Sequence, residues 1–115
     1  MMKLVIVAAG ILLLSGCYYD KEELLYPDSP NCSTTPAKFS TDIAPLIQSR
    51  CAISGCHAAG STNGPGPLTS YALIKNAAPE IKAAVVSRFM PRIGTLTQLE
   101  IKKISCWVDA GAPEN

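Results

Sequence analysis

Apolar residues between Phe39 and Pro113 recur three and four positions apart, in short runs broken by glycine, proline and small polar residues. That period predicts helices. Ile43, Leu46 and Ile47 form the stripe of a first helix from about Ile43 to Arg50. Ser40, Thr41 and Asp42 offer caps, and Asp42 fits best because it leaves Pro45 in the first turn, where its missing N–H costs nothing. Gly60 to Pro67 is a loop by composition. A short helix from Ser70 to Lys75 follows, capped by Thr69 or Ser70. A third runs from about Pro79 to Phe89, with Ile81, Ala84, Val85 and Phe89 on one face.

The last helix has the clearest signature. Thr97-Gln98-Leu99-Glu100 is a capping box, and Leu96 before it can pack on Ile101 as a hydrophobic staple. Ile101, Ile104 and Val108 form its stripe, with Trp107 at the edge. Gly111 ends it and Pro113 prevents its resumption. Strand-like alternation is scarce. The expected fold class is all-α, a small helical domain over residues 38–115. Such a short chain buries only a modest core by itself.

The N-terminus is patterned differently. Met1-Met2-Lys3 is a short basic region, Leu4 to Leu14 is apolar, and Ser15-Gly16-Cys17 follows. A helix through the apolar run would span roughly 16 Å, about half a bilayer core. Residues 1–16 therefore read as a signal peptide rather than a membrane span. Leu14-Ser15-Gly16-Cys17 resembles the lipobox of bacterial lipoproteins. That resemblance implies cleavage before Cys17 and acylation of its thiol and new N-terminus, an anchor that hardly dissociates. The alternative is an ordinary secreted protein with a chance cysteine at this place. Residues 17–37, with prolines at 27, 30 and 36, read as a tether. Its cluster Asp20, Lys21, Glu22 and Glu23 reads as solvated linker. In some Gram-negative lineages such a cluster resembles a signal for outer-surface display.

Charge excludes one class of partner. The chain holds 10 Lys and Arg against 9 Asp and Glu. Loss of Lys3 with the signal peptide leaves a formal net charge of zero and no basic patch for nucleic acid.

The chemistry lies in Cys51-Ala52-Ile53-Ser54-Gly55-Cys56-His57, which contains the single histidine of the chain. Two thiols able to bond haem vinyl groups, followed at once by an imidazole able to bind iron, make a c-type haem attachment site. The gap between the cysteines is wider than the usual two residues. On this reading Cys51 and Cys56 bind haem c covalently and His57 is the proximal iron ligand. Competing readings are a Cys51–Cys56 disulfide, a redox dithiol, and a zinc site completed by Cys32, Cys106 or a carboxylate. Once Met1 and Met2 leave, Met90 is the sole methionine. In Phe89-Met90-Pro91 it stands where a soft distal ligand could be presented, core filling being the alternative. Of 5 cysteines, assigning Cys17 to lipid and Cys51 and Cys56 to haem leaves Cys32 and Cys106 as a pair. An exported compartment would keep them as a disulfide. At about 100° per residue, Cys106 lies opposite the last helix's stripe, so the bond would pin the N-terminal segment across its outer face.

Together these motifs resemble the small monohaem c-type cytochrome domains, cytochrome c-like or planctomycete-type, of exported bacterial proteins. The resemblance covers residues 39–115. It runs from the helix Phe39 to Arg50 through the haem motif and the loop Gly64 to Tyr71 to Met90-Pro91 and Trp107 to Ala112. It implies that a proline carbonyl, in Gly64-Pro65 or Gly66-Pro67, accepts the Nδ1–H of His57. Leu68, Tyr71, Ile74, Val85, Phe89, Ile93 and Trp107 are expected as haem wall or, equally, as core. The expected protein is a lipid-anchored electron carrier, not an enzyme. It would serve redox protein partners at the cell envelope, periplasmic or on the outer-membrane surface. The alternative is a haem-free, disulfide-stapled lipoprotein acting as a binding or structural module. If Met90 leaves the iron open, a ligand sensor or peroxidase-like site is the third reading.

Overall fold

The computed structural model describes residues 31–115. The signal peptide 1–16, Cys17 and the tether as far as residue 30 lie outside the described residues. Among the described residues every regular element is helical. A π-helical turn, Phe39–Ile43, runs directly into α1, Ala44–Arg50. The other helices are α2, Tyr71–Asn76, α3, Ala78–Val86, and α4, Gln98–Asp109. No helix among the described residues is long and apolar enough to cross a membrane.

The first helical segment begins earlier than its apolar stripe predicts. The Ile43 N–H reaches the Lys38 carbonyl, five residues back, at 3.1 Å. The Ala44 N–H bonds the Phe39 carbonyl, so α1 opens with its first amide already satisfied and uses no side-chain cap. Asp42 is therefore not the N-cap. Its carboxylate instead accepts the Lys38 N–H at 3.0 Å and pairs with Lys103 of α4. Pro45 does sit in the first turn of α1. Ser70 caps α2, accepting the Leu73 N–H. The α4 capping box is complete: Thr97 Oγ1 accepts the Glu100 N–H at 3.2 Å, and Glu100 Oε2 accepts the Thr97 N–H at 2.7 Å.

The apolar stripes meet along α4. Ile43, Ile47 and Ile104 are wholly buried, with Ile81, Val85, Leu96 and Ile101 around them. Trp107 is not at the edge of the α4 face but at its centre, 1% exposed, and its Nε1–H donates to the Pro113 carbonyl at 2.9 Å. Phe39 packs edge-on against Tyr71 at 4.9 Å and lies 5.7 Å from the Trp107 ring. The Tyr71 hydroxyl donates to the Ala112 carbonyl at 2.9 Å. Lys82 of α3 pairs with Asp109 of α4.

Cys32 and Cys106 form the expected disulfide, with Cα atoms 5.2 Å apart. That separation lies within the normal span of the bond. It holds the last stretch of the tether against α4, where Ala37 packs on the core.

Candidate haem-binding site

α1 delivers the chain to the first thiol. The N–H groups of Cys51 and Ala52 both donate to the Ile47 carbonyl, at 2.9 and 2.8 Å. Ile53 to Cys56 then close a turn through Cys56 N–H to Ile53 C=O at 3.0 Å. Gly55 holds φ +80° at its third position, which a β-branched or bulky residue cannot take without strain. After this turn the His57 N–H returns to the Cys51 carbonyl at 3.0 Å. The wide cysteine spacing is thus absorbed as a compact turn, and the histidine backbone is tied directly to the first cysteine.

Both thiols are unpaired and half-buried. Burial pushes the Cys51 thiol up to about 11, with the neighbouring Cys56 adding to the effect. A buried, protonated thiol of this kind is a poor redox nucleophile.

His57 is buried, and its Nδ1 lies 2.9 Å from the Gly66 carbonyl. A carbonyl only accepts, so Nδ1 carries a proton. Every fully buried side-chain nitrogen or oxygen among the described residues has a partner. Nε2 makes no hydrogen bond and so keeps some accessible surface, and His57 lines a cavity. The loop Gly64 to Pro67 does hold the ring, but through a glycine carbonyl rather than a proline one. The Leu68 N–H donates to the His57 carbonyl at 2.8 Å and closes the loop onto the motif.

Met90 comes from the other end of the fold. α3 stops at Val86 rather than Phe89, because Arg88 turns to φ +58°. The Arg88 N–H then bonds the Val85 carbonyl, and the Met90 N–H reaches back to the Ala84 carbonyl, both at 3.1 Å. Met90 is pinned to the end of α3 by its own backbone and is half-buried.

Cys51, Cys56, His57 and Met90 line one cavity of about 880 Å³. Sites for cofactors and drug-sized ligands run from about 300 to 1,000 Å³. Leu68, Val85, Phe89 and Ile93 line it as expected, the last two largely exposed at 58% and 80%. Tyr71, Ile74 and Trp107 do not; they belong to the core. The periodicity of α3 pointed to Ile81 and Ala84 as an inward face, and both reach the cavity. Arg50, Arg92 and Ile53 also line it and carried no motif that marked them.

Cys51 and Cys56 are not disulfide-bonded. Cys32 and Cys106 are bonded to each other and cannot complete a zinc shell. Among the described residues no three His, Cys, Asp or Glu side chains converge as a metal site. Comparison of the chain with protein families, curated proteins and solved structures finds no match.

Proposed function

We propose that the protein is a monohaem c-type cytochrome, lipid-anchored through Cys17 at a bacterial cell envelope, that carries single electrons between redox protein partners. The observation that carries this reading is the meeting of two unpaired thiols, a buried imidazole held at Nδ1 by the Gly66 carbonyl, and the one methionine of the mature chain in a single cofactor-sized cavity. Cys51 and Cys56 would hold the porphyrin through thioethers. His57 and Met90 would be the two axial ligands. A haem so bound supplies reversible one-electron chemistry, and a His/Met pair raises its potential.

The residues of the chain suit that task. The Gly66 carbonyl accepts from Nδ1, which would leave Nε2 of the neutral ring to hold iron. Leu68, Ile81 and Val85 give the cavity a buried apolar wall against which the porphyrin would pack. Were His57 and Met90 both to hold the iron, no position on it would be left open to a substrate, so we read the protein as a carrier and not an enzyme.

Expression of the full chain in a host with haem-attachment machinery tests the proposal. Intact-mass analysis should find one haem per chain, and the colour should resist acid–acetone extraction. The Met90→Ala variant should have a lower reduction potential and bind carbon monoxide. Bare polypeptide carrying only acyl groups, with a Cys51–Cys56 disulfide, would instead establish a haem-free stapled lipoprotein. An unchanged spectrum in M90A would remove Met90 from the site.

A further inference from the structure

The ring of His57 is held by a loop whose own anchor lies outside the motif. Asn63 is at the centre of that anchor. Its side-chain amide donates to the Cys56 carbonyl at 2.9 Å and to the Gly55 carbonyl at 3.2 Å. Both neighbours are carbonyl oxygens, so the NH2 end of the amide must face them. The Asn63 N–H donates to Ser61 Oγ at 3.2 Å, and Ser61 Oγ–H donates to the same Cys56 carbonyl. The Asn63 carbonyl accepts the Gly66 N–H. Gly66 in turn offers its carbonyl to His57 Nδ1.

These bonds form a closed circuit. It runs from Cys56 to the Asn63 side chain, through the Asn63 carbonyl to Gly66, on to the His57 ring, and back to Cys56 along the chain. We propose that Asn63 is the positioning residue of the site: it clamps the loop 61–66 onto the haem-attachment turn and so sets the plane and tautomer of the His57 imidazole. Among the described residues no other residue bonds the attachment turn through its side chain and Gly66, the acceptor of Nδ1, through its carbonyl. The Asn63 side chain makes no hydrogen bond to a thiol or to the imidazole, and it reaches the ring through Gly66. Outer-shell partners of a metal-bound histidine govern its orientation and donor strength, which gives the circuit a consequence for the potential if the haem reading holds.

The inference rests on that reading for its redox consequence, but its geometry is testable without it. The probe is the Nδ1 proton of His57, followed by nitrogen-15 NMR in the full mature chain. It is measured haem-loaded where the haem attaches and with thiols reduced where it does not, at mildly alkaline pH, where a free imidazole is neutral. N63A should speed solvent exchange of that proton at least tenfold and, in the haem-free chain, where no iron holds Nε2, admit the Nε2–H tautomer. N63D keeps the size and shape of the side chain but loses both donors, and it should behave like N63A. In the haem-loaded chain N63A, which adds no charge, should also shift the reduction potential upward, because a weaker Nδ1 bond makes a weaker electron donor. Exchange and tautomer at wild-type values in a folded N63D protein would overturn the proposal and leave Asn63 as loop packing. Failure of haem to attach would sink the cytochrome reading and still leave the proton measurement to decide this one.

Discussion

At the scale of single residues, the cost of the wide cysteine spacing falls on Gly55. The turn Ile53 to Cys56 brings the second thiol and His57 back to Cys51, and it needs φ +80° at its third position. A Cβ built on Gly55 meets nothing within 4 Å, so space does not forbid a side chain there. The penalty is backbone torsion alone, of order 1–2 kcal/mol for an L-residue. Gly55→Ala should therefore lower stability by about 1 kcal/mol in a denaturant titration. If haem attaches as proposed, it should also reduce the fraction of chains with both thioethers, seen as a red-shifted pyridine haemochrome band when one vinyl stays unreacted. A midpoint and band equal to those of the native protein would show that the turn does not depend on glycine.

At the scale of elements, legibility follows how local the determinant is. α4 was readable almost to the residue because its start is written in side chains: Thr97 and Glu100 satisfy each other's amides. Ser70 marks α2 in the same way. The π-helical turn was not readable. Its bonds differ from those of an α-helix by one residue of register, which no side chain encodes, and Asp42 looked like a cap because capping and long-range pairing use the same carboxylate. Trp107 was misplaced because its depth depends on Phe39, 68 positions away by number and brought near only by the fold. The site divides likewise. That Cys51, Cys56, His57 and Met90 belong together was suggested by residue type and order, and the fold brings them to one cavity, whereas the places of Arg50, Arg92 and Asn63 beside it depend on how the loops close. α3 shows the limit most clearly. Its left-handed terminator is Arg88 at φ +58°, where glycine would have announced the end. Arg88 is exposed and carries a torsional cost that glycine would avoid. Arg88→Gly, net of the added backbone entropy of the unfolded chain, should raise stability by roughly 0.5 kcal/mol. Thermal and denaturant midpoints check the sign. A loss would mean that the Arg88 side chain contributes more than its backbone costs.

At the scale of the whole molecule, the fold closes by joining its two ends rather than by a large core. Cys32 and Cys106 span 74 positions, a loop whose closure constrains the unfolded chain by about 4 kcal/mol on the chain-entropy account. The Phe39 and Ser40 amides donate to Asn115 at 2.8 and 2.9 Å, so the C-terminal residue caps the opening of the first helical segment. Asp42 ties the same segment to the middle of α4 through Lys103. That tie is conditional on pH. The Lys103 hydrogen bond, and after it the Lys38 amide, hold the Asp42 carboxyl at about 2, below its ordinary 3.8. A depressed folded value means that the ionised carboxylate stabilises the native state. The contribution is fully present above pH 4 and disappears as pH falls from about 4 to about 2. Glu100 is lowered too, chiefly by the Thr97 amide, and it acts with the same sign. The Asp42→Asn variant separates the two. Its thermal midpoint should lie below that of the native protein at neutral pH, and the difference should close in the acid window, leaving only the Glu100 share of the acid loss. A difference between the two proteins that stays constant from neutral pH to about 2 would place the Asp42 contribution in packing rather than in charge.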